Sequence, residues 1–322
     1  MAPPGRMTTD ALWCIGPRTV ELRPGAEGDG VALDTLFSGI SRGTERLVFE
    51  GRVPESDAAR MRAPFQEGDF PFPVKYGYAA VARATEGAHA GRNVFALAPH
   101  QAHMRLPEDA LIPLPEDVPP ERAVLAANME TALNVLWDSG AGAGDRVAIV
   151  GAGTVGALVG YLAARLPGAE VTLVDTLPER GSLAAALGCG FAGPGDAPGD
   201  CDVVIHASAS ARGLASALAA AGPQATVVEA SWHGAGTTEV PLGGAFHSLR
   251  LRLVSSQVGA LPPLRAPRWT YRRRLTKALE LLADPALDVL ISGETGFADL
   301  PGRYAAILDD PQTLCHRIRY PN

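Results

Sequence analysis

The chain has 322 residues, 47% of them hydrophobic and 20% charged, with a formal net charge of −7 at pH 7. That length exceeds the roughly 250 to 300 residues at which single cores stop growing, so two structural units are expected. The negative balance argues against nucleic acid as a partner. The opening MAPPGRMTTDALWCIG has no sustained apolar stretch of the kind found in a secretory leader, which predicts a cytoplasmic protein. Cys14, Cys189, Cys201 and Cys315 are scattered without ligand-like spacing and read as small buried hydrophobes.

Short β-type runs at 11–15, 18–22 and 31–40, broken by Gly and Pro, predict an all-β opening. A polar segment with strong breakers occupies 51–73, followed by strands over 74–84 and 93–98. Pro113, Pro115, Pro119 and Pro120 punctuate the exit. A helix is expected from 120 to 137, closed by the run Ser139-Gly-Ala-Gly-Ala-Gly144.

The most informative segment comes next, VAIVGAGTVGALVGYLAARLPGAEVTLVD at 147–175. It reads as strand, glycine turn, helix, strand and terminal acid. Gly151 permits the tight turn, Gly153 leaves the backbone open to a diphosphate, and Gly156 lets the helix pack against the strand. The first helical amides, at Thr154 and Val155, then point with the positive dipole end at the phosphates. Residues 147–164 carry no charge, but four glycines and β-branched residues fit a buried strand and helix rather than a membrane span. Asp175 at the strand end suits a ribose 2′-hydroxyl and would repel a 2′-phosphate by a few kcal/mol, which favours NAD(H) over NADP(H). Arg180 lies close enough to stack on adenine or to pair with a 2′-phosphate.

Beyond Asp175 the pattern alternates: helix 179–187, strand 202–206, helix 211–221, strand 225–229 and strand 248–255, the signature of parallel βαβ units. The tail reads as an amphipathic helix 268–282, strand 287–291, helix 301–308 and strand 314–320. Its basic run Arg268-Trp-Thr-Tyr-Arg-Arg-Arg274 reads as a solvated helix start, with contact to an acidic substrate as the alternative. His206, His233 and His247 have no spacing that argues for more than core or rim histidines.

The segments LFSGISRGTE (36–45), FPVKYGYAAV (72–81), IPLPEDVPPERAVLAANMETALNVL (112–136), the glycine turn and SSQVG (255–259) resemble the medium-chain dehydrogenase/reductase superfamily over nearly the whole chain. The SGISRGTE and GYAAV wording is similar to the branch containing bacteriochlorophyllide a dehydrogenase, a hydroxyethyl-side-chain dehydrogenase. The resemblance implies an α/β fold with a GroES-like β-barrel catalytic domain at 1–127, a Rossmann doubly wound parallel sheet binding NAD at 128–258, and a return to the catalytic domain over 259–322. It also implies a homodimer formed by pairing of Rossmann edge strands at 248–254.

The superfamily's catalytic zinc is held by cysteine, histidine and a third cysteine or glutamate. The matching positions here are Ser41, Tyr78 and Glu130, a poor cage, and the four-cysteine structural zinc lobe is missing, so no metal is expected. His100 and His103 could join Glu130 in a different site. Without zinc, the alcohol proton or developing alkoxide must be handled by side chains. Tyr78 is the first candidate, with Lys75 three positions earlier able to lower its pKa, and filling the volume of a lost ligand is the competing role. Glu130 is the second candidate, as a base whose pKa a metal-free apolar cleft would raise. Ser41, Thr44 and Glu45 line the same turn, and the His100 imidazole is a further catalytic candidate. Asn134, one helical turn beyond Glu130, is expected near the nicotinamide, and Ser208 and Gln257 occupy positions where relatives contact cofactor or substrate. The expected activity is metal-independent, NAD(H)-dependent hydride transfer between nicotinamide and an alcohol or ketone of a small-molecule substrate. An NADPH-dependent enone or quinone reductase and a non-catalytic dinucleotide-binding redox sensor are the alternatives.

Overall fold

Apolar runs such as 147–150 and 203–205 become strands in the computed structural model, which describes residues 8–321. The chain forms two units, one built from residues up to Ala127 together with those from Ile291 onward, the other from Asn128–Leu290. No helix among the described residues is long and apolar enough to cross a membrane.

The first unit holds two sheets. The larger runs Ile291–Gly296, Cys315–Arg319, Val31–Ser41, Ala80–Ala84, Asn93–Ala96 and Ile112–Pro113, with His103–Leu106 also paired to Val31–Ser41. The smaller runs Thr19–Ala26, Thr8–Gly16, Val74–Lys75 and Glu67–Gly68. Leu33, Ala80, Ala82, Val94, Met104 and Leu111 pack into one apolar cluster, as the alternating pattern of these strands requires. Cys315–Arg319 lies antiparallel to Val31–Ser41, so chain-terminal residues complete a sheet begun near the N-terminus.

The second unit is a six-stranded, wholly parallel sheet in the order Gly190–Ala192, Glu170–Val174, Arg146–Val150, Cys201–His206, Ala221–Glu229, Arg252–Ser255. In chain order this is 3-2-1-4-5-6, the doubly wound arrangement whose ligand crevice opens where the order reverses. Its strands are near-continuous apolar runs because helices cover both faces. Leu214, Ala217 and Leu218 of the Ala211–Ala220 helix pack on Ala148, Val204 and Val227.

Several boundaries differ from expectation. Residues 259–290 stay with the second unit rather than returning to the first, because Arg274 of the Tyr271–Glu280 helix is tied to Glu130 and Asn134. The helix expected over 120–137 is two, Pro120–Ala123 and Ala126–Ser139. The strand expected at 248–255 begins only at Arg252, since Ala245–Ser248 is a helical turn and Arg250 adopts φ 55°.

Candidate functional site

In the second unit, the Arg146–Val150 strand delivers the chain to Gly151, whose φ of 109° favours glycine and whose Cβ position lies 2.7 Å from the Ser208 nitrogen. Gly156 is forced by packing, because a Cβ there would collide with the Gly151 carbonyl oxygen. Gly153 differs from both. Its backbone is extended, with φ −73° and ψ −176°, and a Cβ on it would meet nothing within 4 Å. Neither conformation nor internal packing requires glycine at 153, so the open space in front of it is what a side chain would fill. The helix Thr154–Ala163 begins at Gly153 with no side-chain cap, which leaves its first amides free for an anionic ligand.

Asp175 stands against this turn. Its Oδ2 accepts the Ala152 N–H at 2.7 Å and its Oδ1 the Leu177 N–H at 3.0 Å. A carboxylate offers about four acceptor sites, so two remain for ribose hydroxyls. Arg180 opens the Arg180–Ala186 helix and is buried. Ser208 packs on Gly151, and its Oγ lies 2.7 Å from His206 Nε2. Gln257 Oε1 accepts the Gly259 N–H at 2.6 Å.

Asn134 is not poised at an open surface. Its Nδ2 donates to Asp138 Oδ2 at 3.0 Å and to Ser256 Oγ at 3.3 Å, while its Oδ1 accepts from Arg274. Glu130, expected as a base, accepts from Arg274 Nε at 3.0 Å, with both side chains buried. Burial raises its pKa, against the lowering pull of the guanidinium. The buried Arg274 corrects the reading of 268–274 as merely a solvated helix start.

In the first unit, the expected hydroxyls meet. Tyr78 hydrogen-bonds with Ser41 and Thr44; burial pushes its pKa up to about 12, against the opposite pull of those bonds. The Tyr76 ring stands edge-on to Tyr78, with centroids 6.0 Å apart. Lys75, expected from the sequence to act on Tyr78, has other close partners. Its strand position sends Nζ to Gln101 Oε1 at 2.6 Å and Glu67 Oε2 at 2.9 Å.

His100 is buried and bonded at both nitrogens, Nδ1 at 2.8 Å from Ser38 Oγ and Nε2 at 3.1 Å from Glu45 Oε2. Tyr320 Oη lies 3.0 Å from Ser38 Oγ, while Tyr304 Oη donates to Glu45 Oε2 at 2.7 Å and the Ser41 N–H to Glu45 Oε1 at 2.7 Å. These bonds form one buried chain from Tyr320 to Tyr304. His103 does not share a site with His100: it is exposed and its Nδ1 lies 2.8 Å from Asp34 Oδ1.

The superfamily's zinc does not fit these residues. The Ser41 and Tyr78 hydroxyls are bonded to each other, and the Glu130 carboxylate already faces a guanidinium whose positive charge would repel a cation. What the sequence reading missed is a second cluster in the Rossmann-type sheet. His206 and His233 stack with centroids 6.1 Å apart, and both reach Glu229. The His206–Glu229 pairing comes from strand register, which no local pattern reveals, although Glu229 and His233 are four residues apart.

No family model matches the chain. Solved structures share its fold. L-idonate 5-dehydrogenase from Escherichia coli K-12 MG1655 aligns with a TM-score of 0.78 at 16% identity, covering 98% of this chain and 99% of that one. A proposed zinc-binding dehydrogenase from Sinorhizobium meliloti 1021, bound to NADP, aligns at 0.75 and 19%, covering 98% and 100%. A short chain alcohol dehydrogenase from Escherichia coli CFT073, complexed with NADH, aligns at 0.76 and 15%, covering 97% and 99%. At these identities the likeness establishes the fold, an α/β chain with a GroES-like unit and a Rossmann unit.

Proposed function

We infer that this chain is a nicotinamide-dinucleotide-dependent oxidoreductase of the medium-chain type, acting on an alcohol or ketone of a small molecule. The observation that carries this reading is Gly153, which opens a helix N-terminus beside Asp175 and has open space in front of it where neither backbone nor packing demands glycine. Gly151, Gly153 and the amides of Thr154 and Val155 would hold the diphosphate, and Asp175 the adenosine ribose as hydrogen-bond acceptor, so NAD(H) is the preferred form. The similar folds include one solved with NADH and one with NADP, in keeping with a nicotinamide coenzyme.

Bound coenzyme supplies the hydride acceptor or donor, and the chain's own groups handle the oxygen. Tyr78, neutral at physiological pH, donates its hydroxyl proton to the oxygen that gains charge during carbonyl reduction, and Ser41 and Thr44 hold that hydroxyl in place. The reaction uses no zinc at Ser41, Tyr78 and Glu130. Glu130 and Asn134 act as a buried frame around Arg274 rather than as proton carriers. Resemblance to the hydroxyethyl-side-chain dehydrogenase branch supports a secondary alcohol of the hydroxyethyl type as substrate. The homodimer expected from the sequence would use the edge strand Arg252–Ser255.

The test is calorimetric titration with NADH and NADPH, followed by coenzyme oxidation against a panel of carbonyl compounds that includes acetyl-substituted aromatic macrocycles. Binding with turnover of ketones supports the reading. Binding with every carbonyl inert would leave a dinucleotide-binding protein without this activity.

A further inference from the structure

We propose that His206, Glu229 and His233 form a binding site for one divalent transition-metal cation, with zinc as the best-fitting ion and water in a fourth position. The three residues project from the carboxyl end of the parallel sheet, His206 from the end of Cys201–His206, Glu229 from the adjacent Ala221–Glu229, and His233 four residues on. Their ligand atoms lie within 4.8 Å of one another, and this is the one such group among the described residues.

The geometry is close to a tetrahedral site. Metal bonds of about 2.0 to 2.2 Å place neighbouring ligand atoms about 3.4 Å apart. His233 Nε2 stands 3.4 Å from Glu229 Oε2. His206 Nδ1 stands 2.6 Å from the same oxygen and must open by less than about 1 Å, exchanging a hydrogen bond for a shared cation.

The outer contacts support this use of the three side chains. His206 Nε2 lies 2.7 Å from Ser208 Oγ, a hydroxyl able to accept the ring proton once a cation takes the place of the Nδ1 hydrogen bond to Glu229. His233 Nδ1 lies 2.9 Å from Thr238 Oγ1, which turns its Nε2 toward Glu229. Glu229 Oε1 accepts the Ser231 N–H at 2.8 Å, so Oε2 is the oxygen that faces the imidazoles. Each ligand thus has a partner behind it, the arrangement that orients metal ligands and tunes their basicity. The Ser208, His206 and Glu229 line alone resembles a hydrolytic array, but such an array has no use for a second imidazole on the same carboxylate oxygen.

Access is asymmetric. The His206 side chain is fully buried, while Glu229 and His233 keep 18% and 21% of theirs exposed. A cation would therefore enter from the His233 side and keep one face open to water. Two imidazoles and one carboxylate suit zinc or cobalt(II) better than magnesium or calcium. The site adjoins the dinucleotide turn through Ser208, which packs on Gly151, and metal uptake is read without coenzyme so that its failure and that of the coenzyme reading are separate results.

The test uses full-length protein stripped with chelator and titrated with cobalt(II), then with zinc as competitor. The expected result is one equivalent bound, an intense visible absorption of a low-symmetry four-coordinate centre, and its loss when zinc is added. His233→Ala should abolish the absorption while leaving the metal-free melting temperature unchanged. Thr238→Val should weaken affinity on the order of 10-fold. Failure of the unmodified protein to take up one equivalent of cobalt or zinc would overturn the proposal whatever the variants do. An absorption that persists in His233→Ala would overturn it equally.

Discussion

Asp175 Oδ2 lies 2.7 Å from the amide nitrogen of Ala152, the middle residue of the glycine turn. The acid proposed to select the coenzyme is therefore also a strut for the glycine turn. Asp175→Ser should remove the like-charge barrier to a 2′-phosphate and shift the NADH over NADPH preference by about 10- to 100-fold toward NADPH, corresponding to about 1 to 3 kcal/mol. Loss of the two backbone hydrogen bonds should lower stability by about 1 to 2 kcal/mol. Paired titrations with both reduced coenzymes and a denaturant curve check the two effects separately.

Tyr78→Phe isolates the hydroxyl. It keeps the ring packed against Tyr76 and removes the proton donor held by Ser41 and Thr44. The expected loss is about 100- to 10,000-fold in kcat for carbonyl reduction, with little change in coenzyme affinity. Burial pushes the Tyr78 pKa up to about 12, so deprotonation of Tyr78 should not limit the pH–rate profile of the unmodified protein between pH 7 and about 10. A variant with unchanged kcat would assign Tyr78 to packing alone.

The four cysteines are all buried and free, and burial raises each thiol, Cys14 and Cys315 to about 12, Cys189 and Cys201 to about 11. The native protein should react negligibly with a thiol reagent at pH 8, and the unfolded protein should expose four. The sign for stability follows. Unfolded thiols ionise near 9.0 while folded ones stay protonated, so stability is lost as pH rises from about 9 toward 11 and beyond. Each fully titrating thiol contributes a slope of about 1.4 kcal/mol per pH unit in that window. Denaturant midpoints measured across the alkaline range should fall accordingly.

The buried Glu45 and His100 pair offers a stability prediction in the first unit. His100→Leu removes one partner and leaves the Glu45 carboxylate in the interior with only Tyr304 and the Ser41 amide. The expected cost is about 3 to 5 kcal/mol, read from urea unfolding, and a cost below 1 kcal/mol would mean that the carboxylate is neutralised or hydrated there.

The doubly wound sheet was readable in the residues because its strands are short apolar runs ended by Gly or acid, as 147–150 and 171–174 illustrate. The glycine turn was readable because each glycine has its own steric reason. The environment of Glu130 was not. Its partner Arg274 lies 144 residues away, inside a basic run that local pattern assigns to solvent. Lys75 and Tyr78 are close in sequence, yet strand geometry sends the ammonium to Gln101 and Glu67. The histidine cluster depends on the register of two parallel strands, which the chain specifies only when folded.

The most direct measurement is calorimetric titration of NADH into the unmodified protein and into Gly153→Val. A Cβ at 153 meets no atom within 4 Å and the backbone there is extended, so the variant should fold with an unchanged melting temperature. The parent should bind NADH and the variant should bind it at least 100-fold more weakly, because the added side chain occupies the space proposed for the diphosphate. Equal affinity in both proteins, or no heat with either, would contradict the proposed function.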